Sequence, residues 1–584
     1  MQNKVRIIFK KIKKKTKNVG SRIQKRILKT KENLRLHLLR IKANRCYKKN
    51  DLKNAILIWK EVYDKFEFSV QEYERYLRAL INERELNIAI AIANDASTKH
   101  NSSKLFLLGL QISVEQGNSK NILKYFTKID GDNVYNVIKD IDTWLTIIRI
   151  YIKSNALDKA KDILNNVEHL YPKHKKEIAE LNLKLLIKTK QWKNAIELLL
   201  RLSANFENEF KLIMLYQIVG NTEEVNKRHK IFQDKYQSEI EQDEWGYRKL
   251  IIFDNGDSRI EFCKKLFKNE MVFLTFDSIN MVWDNPSFGF KLLKKENTDI
   301  IAVRKRKKQE YQQDLTQETF LTIVKPMVEN YKEKLAYGFS LGAYLSLYFA
   351  SLLDFKILSL SPRLSIHPIY GRKHIIEKYE MKHNLELPEN KNISPIIVYD
   401  PKNVLDNNYI NNEVRKRYPN ANIVEIPYGG HGTATYLRDT GQLKSFVHDF
   451  INNQIPVFDR NLRMADIEYY ANLANECVKH KKYQWALNVI EEGLKLNAKS
   501  LKARQLKIRI LMRLKEFEKA LEYTEESIAM YKKDLGLRLS IVDIYIETAK
   551  LEKAKCSLSK LQSKYKNNKA IESRLKKISP TSHR

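Results

Sequence analysis

Ser340 stands between two glycines, in Gly338-Phe339-Ser340-Leu341-Gly342, in a chain with only 17 glycines among 584 residues. Leu335 to Tyr337 before it are apolar enough to end a buried strand, and Ala343 to Ala350 after it run on as an apolar helix. A serine on such a strand-to-helix turn is lifted clear of the sheet, where its hydroxyl can attack a carbonyl carbon. Serine is a poor nucleophile until a histidine takes its proton, and the histidine needs a carboxylate to fix its tautomer and steady the imidazolium. Two later strand patterns supply those types. Pro395-Ile396-Ile397-Val398-Tyr399 runs into Asp400-Pro401 and on to Asp406. Asn422-Ile423-Val424-Glu425-Ile426-Pro427 runs into Tyr428-Gly429-Gly430-His431-Gly432. A lone histidine in a glycine-rich loop reads as a solvated turn residue. In the order Ser, Asp, His, each near a strand end, His431 reads as the general base of acyl transfer.

Two carboxylates compete for the third role. Asp406, before Asn407-Asn408-Tyr409-Ile410, fits the acid that sits a few residues past a strand end. Asp400 is the alternative, and Asp400-Pro401 reads equally well as the start of a turn. Acyl transfer also needs donors aimed at the developing oxyanion. The Leu341 backbone N–H is expected as one. The second is expected after the strand Met271–Phe276, at Asp277 or Ser278. No His-Gly-Gly-Gly loop and no metal-ligand cluster accompany these residues.

The elements that must carry the site alternate between strand and helix from about 244 to 460. Strands are expected at Lys249–Phe253, Met271–Phe276, Ile300–Val303, Leu335–Gly338, Lys356–Leu360, Pro395–Tyr399 and Ile423–Ile426, with a last helix at Thr440–Asn452. Continuous apolar strands with helical crossovers predict a mostly parallel sheet covered on both faces. The short interval between Leu360 and Pro395 leaves room for only a small cap, and hence an open site.

Helical repeats lie on both sides. Ala486, Ala520 and Ala554 are 34 residues apart in turn, as are Ala55 and Ala89, with looser copies at Ile122, Ala160 and Ala195. That period, with a small residue at a close helix contact, resembles the tetratricopeptide repeat, although its Trp-Leu-Gly portion is missing. The fold class expected is therefore α/β plus all-α. Its parts are a basic amphipathic tail over 1–45, repeats over 46–240, a catalytic domain over 244–460 that resembles an α/β-hydrolase, and further repeats over 464–576. Arrays of this kind bind protein partners or chains in a concave surface, and equally serve as spacers.

The net charge is +36, and half of it falls in residues 1–50, with 19 Lys and Arg against Glu32. Val5 to Leu28 place apolar residues at helical spacing, which suits the inner face of an anionic membrane. The same charge suits an acidic polysaccharide, or a solvated tail. Nucleic acid is not expected, since no recognition motif accompanies the charge. Cys46, Cys263, Cys477 and Cys556 form no pair or cluster, so buried free thiols and a cytoplasmic location are expected. No apolar run is long enough to span a bilayer, and no secretory signal opens the chain.

Met271–Asn452 resembles an α/β-hydrolase. Within that superfamily it resembles the serine acyltransferases and hydrolase-like proteins associated with bacterial capsule and surface-polysaccharide synthesis. The motifs that carry this are Gly338-Phe339-Ser340-Leu341-Gly342, Tyr399-Asp400-Pro401 and Pro427-Tyr428-Gly429-Gly430-His431-Gly432. The resemblance implies O-acetylation of a bacterial surface glycan. Ser340 would take the acetyl group from acetyl-CoA, a substrate rather than a resident cofactor, and His431, oriented by Asp406, would activate the sugar hydroxyl. An esterase or deacetylase with the same triad is the nearest alternative. A repeat scaffold with an inactive hydrolase module is the third, and the ordered Ser, Asp and His argue against it.

Overall fold

A computed structural model describes residues 31–129 and 134–578, and the chain forms two compact units, Met1–Leu202 and Ser203–Arg584. Most of the basic stretch, residues 1–30, lies outside the described residues. Its remainder differs from a free tail. Residues 31–48 form a helix that buries Leu36 and Ala43, with Arg40 paired to Glu72 at 2.5 Å.

One helix of each repeat pair carries the 34-residue signal. Ala55, Ala89, Ala160 and Ala195 in the first unit, and Ala486, Ala520 and Ala554 in the second, are each the fourth residue of a helix and fully buried. A methyl there lets the paired helix approach closely, which is why the period shows as alanine. A second signal recurs two residues before each of these helices. Asn50, Arg84, Asn155, Lys190, Lys481, Lys515 and Ala549 all hold φ between 56° and 65°, and Gly117 at 65° and Gly220 at 74° take the same left-handed place before their helices. A left-handed residue is what turns one helix back on the next, at some strain for a side chain with a Cβ.

The hairpin of Phe206–Ile218 and Thr222–Lys235 belongs with the second unit, although it falls within the span 46–240 expected for the N-terminal repeats. It carries Val225 in the alanine place. Gln217 Nε2 donates to the Met327 carbonyl at 2.7 Å. A Cβ on Gly220 would come within 2.9 Å of the Pro326 oxygen, so this turn lies directly against the helix Gln317–Val328. Within the hairpin His229 is fully buried and neither ring nitrogen has a partner. Burial therefore pulls its pKa down from 6.5 to about 3. The unfolded chain takes up this proton near pH 6.5 and the folded chain does not, so stability is unaffected above that pH and falls below it. Replacing His229 with Phe should flatten urea-midpoint stability between pH 6 and 4, relative to wild type, by roughly 1.4 kcal/mol per pH unit. An unchanged acid dependence would show that the ring finds a partner.

The sheet has eight strands: β1 Tyr247–Asp254, β2 Ser258–Lys265, β3 Met271–Phe276, β4 Asp299–Lys305, β5 Glu333–Phe339, β6 Lys356–Leu360, β7 Ile396–Tyr399 and β8 Asn422–Glu425. Their order is β1-β2-β4-β3-β5-β6-β7-β8, and β2 alone runs against the rest. This is an α/β-hydrolase-like sheet within a helical-repeat protein. The apolar-run pattern predicts seven strands and misses β2, because Glu261 and Lys264 interrupt it. Both are buried, matched by Arg304 at 3.2 Å and by Asp299 at 2.7 Å. A buried charge survives where a partner is built in. The expected last helix, Thr440–Asn452, is observed as Leu443–Ile451, and Gly441 at φ 78° separates it from a further helix, Thr433–Asp439.

The cysteines depart from the expectation of buried thiols. Only Cys263 is buried, its thiol pushed up to about 12 by desolvation, and Cys556 is exposed. Among the described residues no helix is long and apolar enough to cross a membrane.

Candidate active site

Ser340 follows β5 and opens the helix Leu341–Phe349 with φ 56° and ψ −114°. An L-residue holds such a conformation only where its surroundings over-determine it. Ser340 N donates to the Leu360 carbonyl at 2.9 Å, and its own carbonyl accepts from Tyr344 N and Arg363 N. Both flanking glycines are required by space. A Cβ on Gly338 would lie 2.2 Å from the Gly342 oxygen, and one on Gly342 would lie 2.4 Å from the Phe276 oxygen. The pentapeptide is thus pressed between β3 and its own helix.

His431 Nε2 lies 2.8 Å from Ser340 Oγ, and His431 Nδ1 lies 2.8 Å from Asp406 Oδ2 and 3.1 Å from Oδ1. An ionised carboxylate only accepts, so Nδ1 carries the proton and Nε2 is left to accept the serine O–H. Asp406 is fully buried, Ser340 is 8% exposed and the His431 side chain 25%. The carboxylate is sealed from water while the reacting side remains within reach of it.

Asp400 does something different. Buried just after β7, it accepts from the N–H groups of Lys402, Tyr428 and Gly430 at 2.8, 3.1 and 2.8 Å. Burial holds its carboxyl above the usual carboxylate range, and these three donors only partly offset that rise. It joins the turn after β7 to the loop that carries His431. The structure gives Asp406, and not Asp400, contact with the imidazole.

Asp277 is committed elsewhere, contrary to its place among the oxyanion donors. Its N–H donates to the Val303 carbonyl at 3.1 Å, and its carboxylate meets Arg304 Nε at 2.7 Å and Phe288 N at 3.3 Å. Strand pairing extended by one residue past β3 uses up the N–H that a donor would need. Ser278, the other candidate, borders a groove beside Phe339. Leu341 N–H belongs to the first turn of its helix, where no intrahelical carbonyl can accept it.

Two residues at the site have no counterpart in the sequence motifs. Arg363, 5% exposed, sets Nη2 2.5 Å from Asp406 Oδ1 and 2.8 Å from Asn403 Oδ1. Burial pulls its guanidinium down from its ordinary range, and Asp406 pushes it back up. Asn472, in the first helix of the C-terminal repeats (Ile467–Lys479), donates to the Tyr428 carbonyl at 3.0 Å and packs on Gly430. A buried Arg after a Ser-Pro pair and an Asn on a repeat helix carry no motif. Only the cluster of Asp and Asn between 400 and 408 hints at a cation. Among the described residues no His, Cys, Asp or Glu side chains are grouped to hold a metal ion.

No family model matches the chain and no curated protein matches it. Solved structures similar to it include a predicted CIB-like hydrolase from Thermoplasma acidophilum, 13% identical with a TM-score of 0.25, over 35% of this chain and 98% of that one. Others are yeast Tom70, 11% identical with a TM-score of 0.20 over 94% of each chain, and the TPR domain of P58(IPK), 9% identical with a TM-score of 0.18 over 93% of this chain and 97% of that one. The fold assignment itself rests on the strand order and the helix periodicity: an α/β-hydrolase-like sheet in a chain of helical repeats.

Proposed function

We propose that this protein is a serine acyltransferase that works through an acyl-Ser340 intermediate. The observation that carries this is the continuous path from Ser340 Oγ to His431 Nε2 and from His431 Nδ1 to Asp406, each at 2.8 Å. Ser340 Oγ attacks the donor carbonyl while His431 Nε2 takes its proton. The donor's leaving group departs with that proton, and His431 then draws a proton from the acceptor hydroxyl as it attacks the acyl-serine. Leu341 N–H would meet the oxyanion, with Ser278 as the second donor in this reading. The acceptor reading is the hydroxyl of a bacterial surface glycan, with acetyl-CoA as the simplest donor to assay. It is supported by the motif resemblance and by the sparse cover over the site, since 361–395 contains only the four-residue helix Lys373–Ile376. The repeats would engage a protein partner, and the basic stretch 1–30 an anionic membrane face.

Labelling by a fluorophosphonate probe, which forms a bond from Ser340 Oγ to phosphorus with loss of fluoride, tests the reading directly. Wild type should label, and Ser340→Ala and His431→Ala should not. Unlabelled, well-folded wild type would reject an activated serine. Rapid ester hydrolysis with no transfer to any glycan would make water the acceptor.

A further inference from the structure

We infer that the groove beside Ser340 binds an apolar acyl chain of medium length, so that the group loaded on the serine is longer than acetyl. The inference rests on the acyl-Ser340 reading and specifies its donor: an ester or thioester of an aliphatic acid.

The groove has a volume of about 440 Å³, within the range of roughly 300–1,000 Å³ usual for small-ligand sites. Phe288, Phe290 and Leu292, from the segment after β3, form one wall. Phe339 at the end of β5, and Leu443 after the His431 loop, form the other. All five side chains are only half-buried. The apolar atoms they leave accessible, beside the residue that precedes the serine, are what an aliphatic chain would cover.

Continuity with the site fixes the occupant. Phe339 immediately precedes Ser340, and its ring centroid lies 5.8 Å from that of His431. Ser278, the candidate donor left after Asp277 is committed, also lines the groove. In the inferred pose a carbonyl carbon bonded to Ser340 Oγ turns its oxygen toward Leu341 N–H and extends its alkyl part along Phe339, the residue through which the groove meets the site. A sugar does not suit the same place. Its hydroxyls would lose water and find mostly aromatic and aliphatic walls, with Ser278, Ser287 and Thr435 as the few hydroxyl neighbours. The charged side chains of the groove, Lys291 and Arg438, are exposed, and Arg438 Nε is bonded to Asp439. They sit at the rim.

The test acylates the full-length protein with p-nitrophenyl acetate, butyrate, octanoate and laurate, reading p-nitrophenolate release and the intact mass of the acyl-enzyme. In each case a bond forms between Ser340 Oγ and the carbonyl carbon, the bond to p-nitrophenolate breaks, and the serine proton passes to His431. Acylation kcat/KM should rise from acetate to octanoate by about fourfold per added methylene until the groove is filled. Thr435→Trp, at an exposed position on the groove, should bring octanoate down toward the acetate rate and leave acetate unchanged. The wild-type series decides the matter even where that variant folds poorly. Equal rates for acetate and octanoate in wild type would overturn the acyl groove while leaving the acyl-serine reading intact. So would an effect of Thr435→Trp that is the same for both esters in a folded variant. No acyl adduct from any ester, together with no fluorophosphonate labelling, would reject the acyl-serine reading and the groove with it.

Discussion

Alanine at Ser340 or at His431 should lower turnover of an activated ester by about 10⁶-fold, and the double variant should be no worse than either. On the acyl-serine reading the two residues act as one unit: without the base the hydroxyl keeps its proton, and without the hydroxyl the base has nothing to activate. Asp406→Asn should cost about 10⁴-fold, because an amide can offer an N–H to His431 Nδ1 and favour the wrong tautomer. Asp400→Asn separates the two carboxylates. It touches no reacting atom, but it removes the charge that gathers three N–H groups beneath the His431 loop. A displacement of the imidazole by about 1 Å would lower turnover by roughly 10²-fold. Initial rates, with thermal melts to show that each variant is folded, check the series. Asp400→Asn as inactive as Ser340→Ala, beside a nearly wild-type Asp406→Asn, would transfer the acid role to Asp400 and overturn the assignment.

The parts of this molecule legible in its sequence are those where a single residue type is forced. Gly338 and Gly342 are forced by backbone approaching within a methyl's reach, so a pair of glycines in a glycine-poor chain marks a turn pressed against a sheet. The repeat alanines are forced by close helix contact in the same way. Where two solutions serve, the signal fades. The left-handed turn before each repeat helix accepts Asn, Arg, Lys, Ala or Gly, so it has no consensus although it recurs as strictly as the alanines. Val225 replaces the alanine in a repeat that packs against the helix Gln317–Val328, and that hairpin escapes the pattern. Strand β2 escapes for an electrostatic reason, since its buried Glu261 and Lys264 are tolerated only because Arg304 and Asp299 meet them from β4. The site shows the same division. Ser340 and His431 lie in motifs with a fixed backbone. Arg363 and Asn472 are defined by what they touch across the fold, and Asp277 is withdrawn from the oxyanion by one further residue of strand pairing.

Arg363→Met should destabilise the protein by about 3–5 kcal/mol, the usual consequence of stranding one member of a buried ion pair. The guanidinium leaves behind a fully buried Asp406 carboxylate with only His431 for a partner. Asp406→Ala should destabilise for the converse reason, leaving the buried guanidinium with Asn403 alone. In the double variant both charges are gone, and its loss should fall short of the sum of the single losses by about 0.5–3 kcal/mol, a coupling measurable by a urea double-mutant cycle. The Arg363 backbone N–H, which supports the Ser340 carbonyl at 3.2 Å, survives in all three variants, so the cycle isolates the side-chain pair. The same contact bears on rate. Arg363 holds Oδ1 while His431 takes Oδ2, so losing the guanidinium frees the carboxylate to rotate and should lower turnover by about 10- to 100-fold, as loss of an outer partner typically does. Additive stability losses would show that the two charges do not interact energetically. Unchanged turnover in a folded Arg363→Met variant would show that Asp406 is positioned without it. Coupled stability with reduced turnover would make the buried arginine the residue that fixes the acid, and through it the base, at the height of the serine.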